Sequence, residues 1–305
     1  MKDSLQKYFK VGLIAYMKHP TMAKGDDPET FNYIHKIACD DYFDTVEVNW
    51  IRDPKIRAKV AGLLDQAHMN VCYGSQPRFL TSGMNPNDLD EEKRQKAEDA
   101  LKEDVDEACE LGAKGIAFLS GKWEAKTREQ SYVQLLKTTR NVCDYAKNKG
   151  VMVELEVFDY DIDKASLIGP APYAAQFAAD MRMTHNNFGL MIDLSHIPMT
   201  YETPEFVVRT LRPYITHLHV GNTVCADSSA EGYGDMHQRF GFPGSANDTP
   251  EVLEYLRVLK KEGFMNAENP MVLSLEVRPW QEEDPEVVIA GAKRVLNRAW
   301  ALLED

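Results

Sequence analysis

Four ionisable side chains in the second half of the chain each stand at the end of an apolar, strand-like run. They are Glu156, Asp193, His219 and Glu276. The runs that precede them are apolar enough to form buried parallel strands. Three carboxylates and an imidazole that converge form a mixed oxygen and nitrogen site, which suits a hard or borderline divalent cation. The sequence therefore predicts one such cation, with Mn²⁺ favoured and Mg²⁺ or Co²⁺ as alternatives.

Two of these strands carry a second ionisable residue two positions earlier. Glu154 precedes Glu156, and His217 precedes His219. Because alternate side chains of a strand share one face, both members of each pair point the same way. The more C-terminal member lies nearer the mouth of a barrel, so we assign Glu156 and His219 to the site. Glu154 and His217 are expected one layer deeper, as supporting or structural partners.

The elements that must position these residues alternate regularly between strands and helices. Strands are predicted at residues 11–15, 45–49, 71–74, 115–119, 151–157, 190–193, 215–220 and 272–277. Helices are predicted at residues 28–39, 54–67, 91–111, 128–149, 173–184, 204–211, 249–262 and 285–303. This alternation indicates an α/β protein with parallel strands.

The eight repeats favour a (β/α)8 TIM barrel that forms a single domain over residues 1–305. An open doubly wound sheet is the alternative, but its usual G-x-G-x-x-G turn is missing after the first strand. One long irregular stretch, residues 221–248, follows the seventh strand. Loops of this length inside a domain are commonly functional.

The composition of the chain indicates which kinds of partner it binds and in which cellular compartment it works. A formal net charge of −13 disfavours nucleic acid and anionic membranes as partners. No run is long and apolar enough to be a signal peptide or a membrane span. The five cysteines are scattered and never spaced C-x-x-C, which favours reduced thiols in the cytoplasm over a thiolate zinc site. A small-molecule substrate is therefore expected.

The motifs Asp193-Leu-Ser-His196 and His217-Leu-His219, together with the strand-end pair Glu156 and Glu276, resemble those of the xylose isomerase-like barrels. The similarity is to the sugar, or sugar phosphate, isomerase and epimerase group in particular. This resemblance implies that Asp193 and His219 are metal ligands and that His196 is a catalytic residue near the substrate. It also implies that Glu156 and Glu276 both bind the metal and transfer the proton.

The expected reaction is removal of a proton next to the metal-bound carbonyl of a keto- or oxo-sugar, which gives an enediolate. The expected class is therefore a metal-dependent sugar isomerase or epimerase. DNA-repair endonucleases share this barrel, but they need a histidine-rich multi-metal site and a basic groove, which this acidic chain lacks. A non-catalytic binding module would not need four metal ligands.

Residues 233–244, inside the long loop, are rich in glycine, aromatic and polar residues. One interpretation is a surface loop with a charged tip. The other is a lid that brings His237 and Arg239 to the substrate. The segment resembles the large subunit of C-glycoside deglycosidases, a branch of the same barrels. That resemblance implies a lyase that cleaves the carbon–carbon bond of a 3-oxo-C-glycoside together with a small β-rich partner subunit.

Several further residues near strand ends are candidates for contact with a sugar or a sugar conjugate. They are Asn49, Gln76, Trp123 and Arg278. In contrast, we interpret the charged run at residues 159–164 as a solvated face. The barrel exterior could support a homo-oligomer, although no single apolar stripe predicts one.

Overall fold

The computed structural model describes residues 3–304, and its strands form one closed parallel barrel in sequence order. The strands are β1 (Phe9–Ile14), β2 (Thr45–Val48), β3 (Asn70–Gly74), β4 (Gly115–Leu119), β5 (Met152–Val157), β6 (Phe188–Asp193), β7 (Ile215–Gly221) and β8 (Met271–Glu276). Pairing of β1 with β8, with Val11 opposite Leu273, closes the ring. The predicted TIM barrel is confirmed.

Residues 3–304 contain ten α-helices, of which the eight predicted ones form the outer layer of the barrel. The helices are α1 (Ala15–Lys18), α2 (Thr30–Ala38), α3 (Pro54–Gln66), α4 (Gln76–Ser82), α5 (Glu91–Glu110), α6 (Arg128–Lys147), α7 (Ala171–Arg182), α8 (Pro204–Leu211), α9 (Thr249–Lys261) and α10 (Pro285–Leu302). Most predicted starts agree with the structure because a capping side chain precedes a proline. Asp53 accepts a hydrogen bond from the backbone of Lys55, and Asp248 and Glu251 form a capping box. Among the helices of residues 3–304, none is long and apolar enough to cross a membrane.

Two short helices were not predicted, and both lie directly after a strand at the mouth of the barrel. They are α1, which follows β1, and α4, which follows β3. Tyr16 and Gln76, at the starts of these helices, are buried and face the cavity described below. The two helices therefore form part of the cavity wall.

The long loop between β7 and α9 is packed against the barrel. The Asn222 side chain accepts hydrogen bonds from the backbone of Thr223 and Asn247 at 2.9 and 2.8 Å and donates one to the Arg239 carbonyl. The Asn247 side chain donates to the carbonyl of Gly221 at 3.0 Å. These bonds join both ends of the loop to its middle and fix the loop over the mouth.

A polar cluster between β3, α3 and α5 contains a carboxyl group with a strongly perturbed pKa. Burial raises the pKa of Glu107 from 4.5 to about 7, although its carboxylate accepts a hydrogen bond from the Ile51 backbone and lies 3.2 Å from Arg57. Between pH 4.5 and 7 the folded protein holds a proton that the unfolded chain has released. Folding stability therefore falls as pH rises through this window.

Replacement of Glu107 by glutamine is expected to reduce the loss of stability with rising pH, because the amide does not ionise but still accepts the Ile51 hydrogen bond. Between pH 4.5 and 7, the free energy of unfolding of the variant should fall by up to about 3 kcal/mol less than that of the wild type. Urea denaturation at pH 4, 5.5 and 7.5 measures this free energy. Glu110→Gln is the control, since this more exposed carboxylate also pairs with Arg57. An unchanged pH profile in Glu107→Gln would contradict the prediction.

Candidate metal centre and cavity

Three of the four strand-end residues meet at the mouth of the barrel. Nδ1 of His219 lies 2.5 Å from Oε2 of Glu276 and 3.7 Å from Oε1 of Glu156. Each residue contributes one candidate ligand atom to a group in which all the atoms lie within 4.8 Å of one another. All three side chains are buried. Strands β5, β7 and β8 therefore bring together a set of oxygen and nitrogen atoms that could hold one cation.

The fourth strand-end residue, Asp193, lies beside this group and also faces two histidines. Its Oδ2 is 3.8 Å from Nδ1 of His237, and it forms a second candidate group with His196 and His237. Nε2 of His237 lies 3.7 Å from Oε1 of Glu276 and links the two groups. Burial raises the pKa of Asp193 to about 7, and the negative charge of Glu276 adds to the rise.

The donor atoms of this centre fit a divalent cation. Oε1 of Glu156 and both carboxylate oxygens of Asp193 are buried and accept no hydrogen bond from the described part of the chain. Buried carboxylate oxygens are rarely left in this state, because an unpaired buried charge is costly. A Cβ atom at Gly221 would lie 2.7 Å from Oδ2 of Asp193, so glycine keeps the space beside this oxygen open. A cation bound here would satisfy these oxygens; the roles of these residues as ligands stay a prediction.

Glu154 and His217 lie one layer deeper, where strand parity places them. Nδ1 of His217 is 3.2 Å from Glu154, and its Nε2 is 2.9 Å from Glu47 on β2. Burial alone would lower the pKa of His217, but the charges of Glu47 and Glu154 raise it to about 9. A buried hydrogen-bonded network therefore extends below the candidate metal centre.

Asp235, which the sequence analysis missed, joins the two histidines beside Asp193. Its Oδ1 lies 3.1 Å from Nε2 of His196 and 2.7 Å from Nε2 of His237, and its Oδ2 lies 3.3 Å from Nζ of Lys164. Burial would raise the pKa of Asp235, but the charges of His237 and His196 hold it well below its usual value. The side chain ties the loop after β7 to the loop after β5.

The interpretation of residues 159–164 as a solvated face is wrong for Asp159, although Asp161 is exposed. Asp159 is fully buried, and its carboxylate accepts hydrogen bonds from the backbone N–H groups of residues 162–165 at 2.7–3.1 Å. Lys164 is held between Asp163 and Asp235. The charges of this run therefore shape a loop beside the cavity.

A cavity of about 560 Å³ opens above the candidate metal centre. Its polar lining includes three residues that the sequence analysis assigned to substrate contact: Gln76, His237 and Arg278. Nε2 of Gln76 donates a hydrogen bond to Oε2 of Glu156 at 2.7 Å. The rest of the cavity lining is mainly apolar and includes Met17, Pro20, Ala23, Pro77, Leu80 and Phe158. Thr21, Lys24 and Thr81 add polar atoms to it.

The other three residues predicted to contact substrate do not line this cavity in the described part of the chain. The Arg239 side chain is bound to Glu283 at 2.8 Å and faces away from the mouth. The Asn49 amide donates to the carbonyl of Met22, so its role is to hold the chain after β1. The Trp123 ring stacks on Tyr160 at 4.3 Å and donates to the Tyr160 carbonyl.

The fold and the site together define a (β/α)8 barrel with a carboxylate and imidazole centre at the C-terminal ends of its strands. The family model for the xylose isomerase-like TIM barrel matches residues 38–297, and the chain belongs to this family. No curated protein matches the sequence.

Solved structures with the same fold include several sugar epimerases. A D-tagatose 3-epimerase-like protein is 18% identical with a TM-score of 0.73, covering 96% of this chain and 99% of its own. The 3-keto-D-glucoside 4-epimerase YcjR from E. coli is 15% identical with a TM-score of 0.65, covering 95% and 99%. A structure of IOLI protein with a binding zinc atom is 16% identical with a TM-score of 0.71, covering 97% and 100%. At these identities the similarity shows the fold alone.

Proposed function

We propose that this protein is a divalent-metal-dependent sugar isomerase or epimerase that removes a proton next to the carbonyl of a keto- or oxo-sugar. The observation that supports this most strongly is the group formed by Glu156, His219 and Glu276 at the base of the cavity. The buried oxygens of Asp193, which have no hydrogen-bond partner within residues 3–304, lie beside it. The epimerase activities named for the structural neighbours agree with this proposal.

Different residues of the chain would bind the metal, transfer the proton and contact the substrate. Glu156, Asp193, His219 and Glu276 would hold the cation, which when bound polarises the substrate carbonyl and makes the neighbouring C–H acidic. One of the two glutamates takes the proton, and the other returns it on the opposite face of the sugar. The hydrogen bond from Gln76 holds Oε2 of Glu156, whereas Oε1 has no hydrogen-bond partner within residues 3–304.

His237 and Arg278 line the cavity and provide polar groups beside the substrate. His196, predicted to be catalytic, does not line the cavity within residues 3–304; it lies 3.7 Å from Oε1 of Glu156 and contacts Asp235 and the Val157 carbonyl, so it would act on the substrate through Glu156.

We propose Mn²⁺ as the cation, with Mg²⁺ or Co²⁺ as alternatives, because the site offers three carboxylates and one imidazole and no thiolate. The zinc atom in the IOLI protein makes Zn²⁺ a further ion to test. We further propose a cytoplasmic enzyme that acts on a small sugar or sugar conjugate and not on nucleic acid or membranes, in agreement with its charge of −13.

Proton exchange in heavy water tests this proposal. The metal-free protein is loaded with Mn²⁺, Mg²⁺, Co²⁺ or Zn²⁺ and incubated in D₂O with free and phosphorylated ketoses and with 3-oxo-glucosides. We expect deuterium to enter the carbon next to the carbonyl of at least one substrate, and the incorporation to stop when EDTA is added. If every sugar stays unlabelled with each metal bound at full occupancy, the proposal is wrong.

The apolar residues of the cavity lining favour a second candidate, the large subunit of a C-glycoside deglycosidase. A volume of about 560 Å³ falls in the range of pockets that hold ligands larger than one sugar ring. Loss of the proton from C2, beside the 3-oxo group, leaves behind the electron pair of the C2–H bond, and this pair forms a C1=C2 bond as the C1–aglycone bond breaks. The aglycone carbon keeps the electron pair of the broken bond and takes up a proton.

Release of a free aglycone from a 3-oxo-C-glycoside by this chain with a small co-purifying β-rich subunit would support the lyase. Turnover of ketoses by the chain alone, with no aglycone release from the complex, would favour the isomerase.

A further inference from the structure

Glu47, on β2, contacts both imidazoles of the His217-Leu-His219 strand from across the barrel. Its Oε1 lies 2.9 Å from Nε2 of His217 and 3.1 Å from Nε2 of His219, and its Oε2 lies 3.3 Å from the same His219 atom. The Glu47 side chain is only 1% exposed. This carboxylate is therefore confined between two histidines and does not line the cavity.

The two nitrogens of His219 face different surroundings. Nδ1 faces Glu276 and Glu156 at the candidate metal centre, whereas Nε2 faces only Glu47 among these carboxylates. An ionised carboxylate accepts hydrogen bonds and donates none. The hydrogen of the contact with Glu47 must therefore be on Nε2. Nδ1 shares its hydrogen with Glu276 in the absence of a cation, so it is the ring nitrogen that a cation would bind once that hydrogen is displaced.

Glu47, His217 and His219 are close enough together to be read as a second metal site. The hydrogen bonds of this deeper group argue against that reading. Both oxygens of Glu47 are already hydrogen-bonded to a histidine, and both nitrogens of His217 are bonded to a glutamate. The buried oxygens that have no partner in the described chain belong instead to Glu156 and Asp193.

We propose that Glu47 is a positioning residue that accepts the Nε2–H of His219 and so presents Nδ1 to the cation. This inference depends on the proposed function, because it concerns a ligand of the same site. Carboxylates that accept the second N–H of a ligating histidine fix the orientation of its ring, and their loss typically lowers metal affinity about 10- to 100-fold. Glu47 would thus control metal binding without touching the metal.

The test compares Mn²⁺ binding to the wild type, Glu47→Gln and the control Glu154→Gln by calorimetry on the metal-free proteins. Glu154 is also buried and bonded to His217 but does not contact His219. We expect one ion per chain in all three proteins. The affinity of Glu47→Gln should fall about 10- to 100-fold, while that of Glu154→Gln should remain near the wild-type value. Near-ultraviolet circular dichroism of the metal-free proteins checks that each is folded.

A second measurement needs no variant. In the Zn²⁺-loaded wild type, nitrogen-15 NMR of the histidine rings should show the proton of His219 on Nε2, with Nδ1 bound to the metal. A proton on Nδ1, equal Mn²⁺ affinity in Glu47→Gln, or two ions per wild-type chain would each overturn the inference. Failure of the wild type to bind any divalent ion would contradict the proposed function instead.

Discussion

Replacement of Glu276 or Glu156 by glutamine is expected to slow deuterium exchange between a substrate ketose and water by about 10²- to 10⁴-fold. Glutamine has nearly the same shape and retains an oxygen that can bind a cation, but its amide cannot take up the substrate proton. The exchange rate is measured in D₂O at saturating Mn²⁺, with the metal content of each variant determined in parallel. Loss of exchange in a variant that retains the metal assigns proton transfer to the replaced carboxylate.

Glu154→Gln is the matched control for this experiment. Glu154 lies on the same strand as Glu156, is buried, and does not line the cavity. We expect its exchange rate to stay close to that of the wild type. If Glu156→Gln and Glu276→Gln both bound metal and exchanged substrate protons at the normal rate, the proposed roles of the two glutamates would be wrong.

Replacement of Asp193 by asparagine is expected to stabilise the metal-free protein at pH 8 and to abolish most of the stabilisation by Mn²⁺. Burial raises the pKa of Asp193 from 3.8 to about 7, so the stability of the metal-free wild type falls as pH rises through this window. Above it, the folded chain carries a buried charge without hydrogen bonds from residues 3–304. Removal of this charge should raise the free energy of unfolding of the metal-free protein at pH 8 by on the order of 2–4 kcal/mol.

Thermal unfolding at pH 5 and pH 8, with EDTA or with Mn²⁺, measures both effects. The wild type should gain about 4 kcal/mol when the free metal concentration is about a thousand times its Kd, and the variant should gain much less. Without metal, the variant should be more stable to unfolding than the wild type at pH 8 but not at pH 5. Equal pH profiles, or an unchanged response to Mn²⁺, would contradict the role of Asp193 as a ligand.

The fold could be predicted from the sequence because its local signals agree with one another. Apolar runs that end at a polar residue gave the strands, and aspartate or threonine before proline gave several helix starts, such as those at Pro54 and Pro285. Helices α1 and α4 were missed because four and seven residues are too few to establish helical periodicity. These short helices depend on tertiary contacts at the mouth of the barrel.

Strand parity shows which side chains share one face of a strand, and the candidate metal centre could be predicted to that extent. Parity separated Glu156 and His219, which the structure places in one group with Glu276, from Glu154 and His217, which contact each other below it. It could not show that Glu47 lies across the barrel from both histidines, because that contact depends on barrel closure.

The loop after β7 has no periodicity, so the directions of its side chains could not be predicted. His237 adopts a positive φ of 50° and faces the cavity, whereas Arg239, two residues later, faces away and pairs with Glu283. Asp235 carried no signal in the sequence beyond being a charged residue in a loop.

Anomalous diffraction from a crystal soaked with Mn²⁺ tests the central claim most directly. We expect one strong peak per chain, about 2.0–2.6 Å from side-chain atoms of Glu156, Asp193, His219 and Glu276. A peak between Glu47 and His217 instead, or no peak at saturating Mn²⁺, would contradict the account.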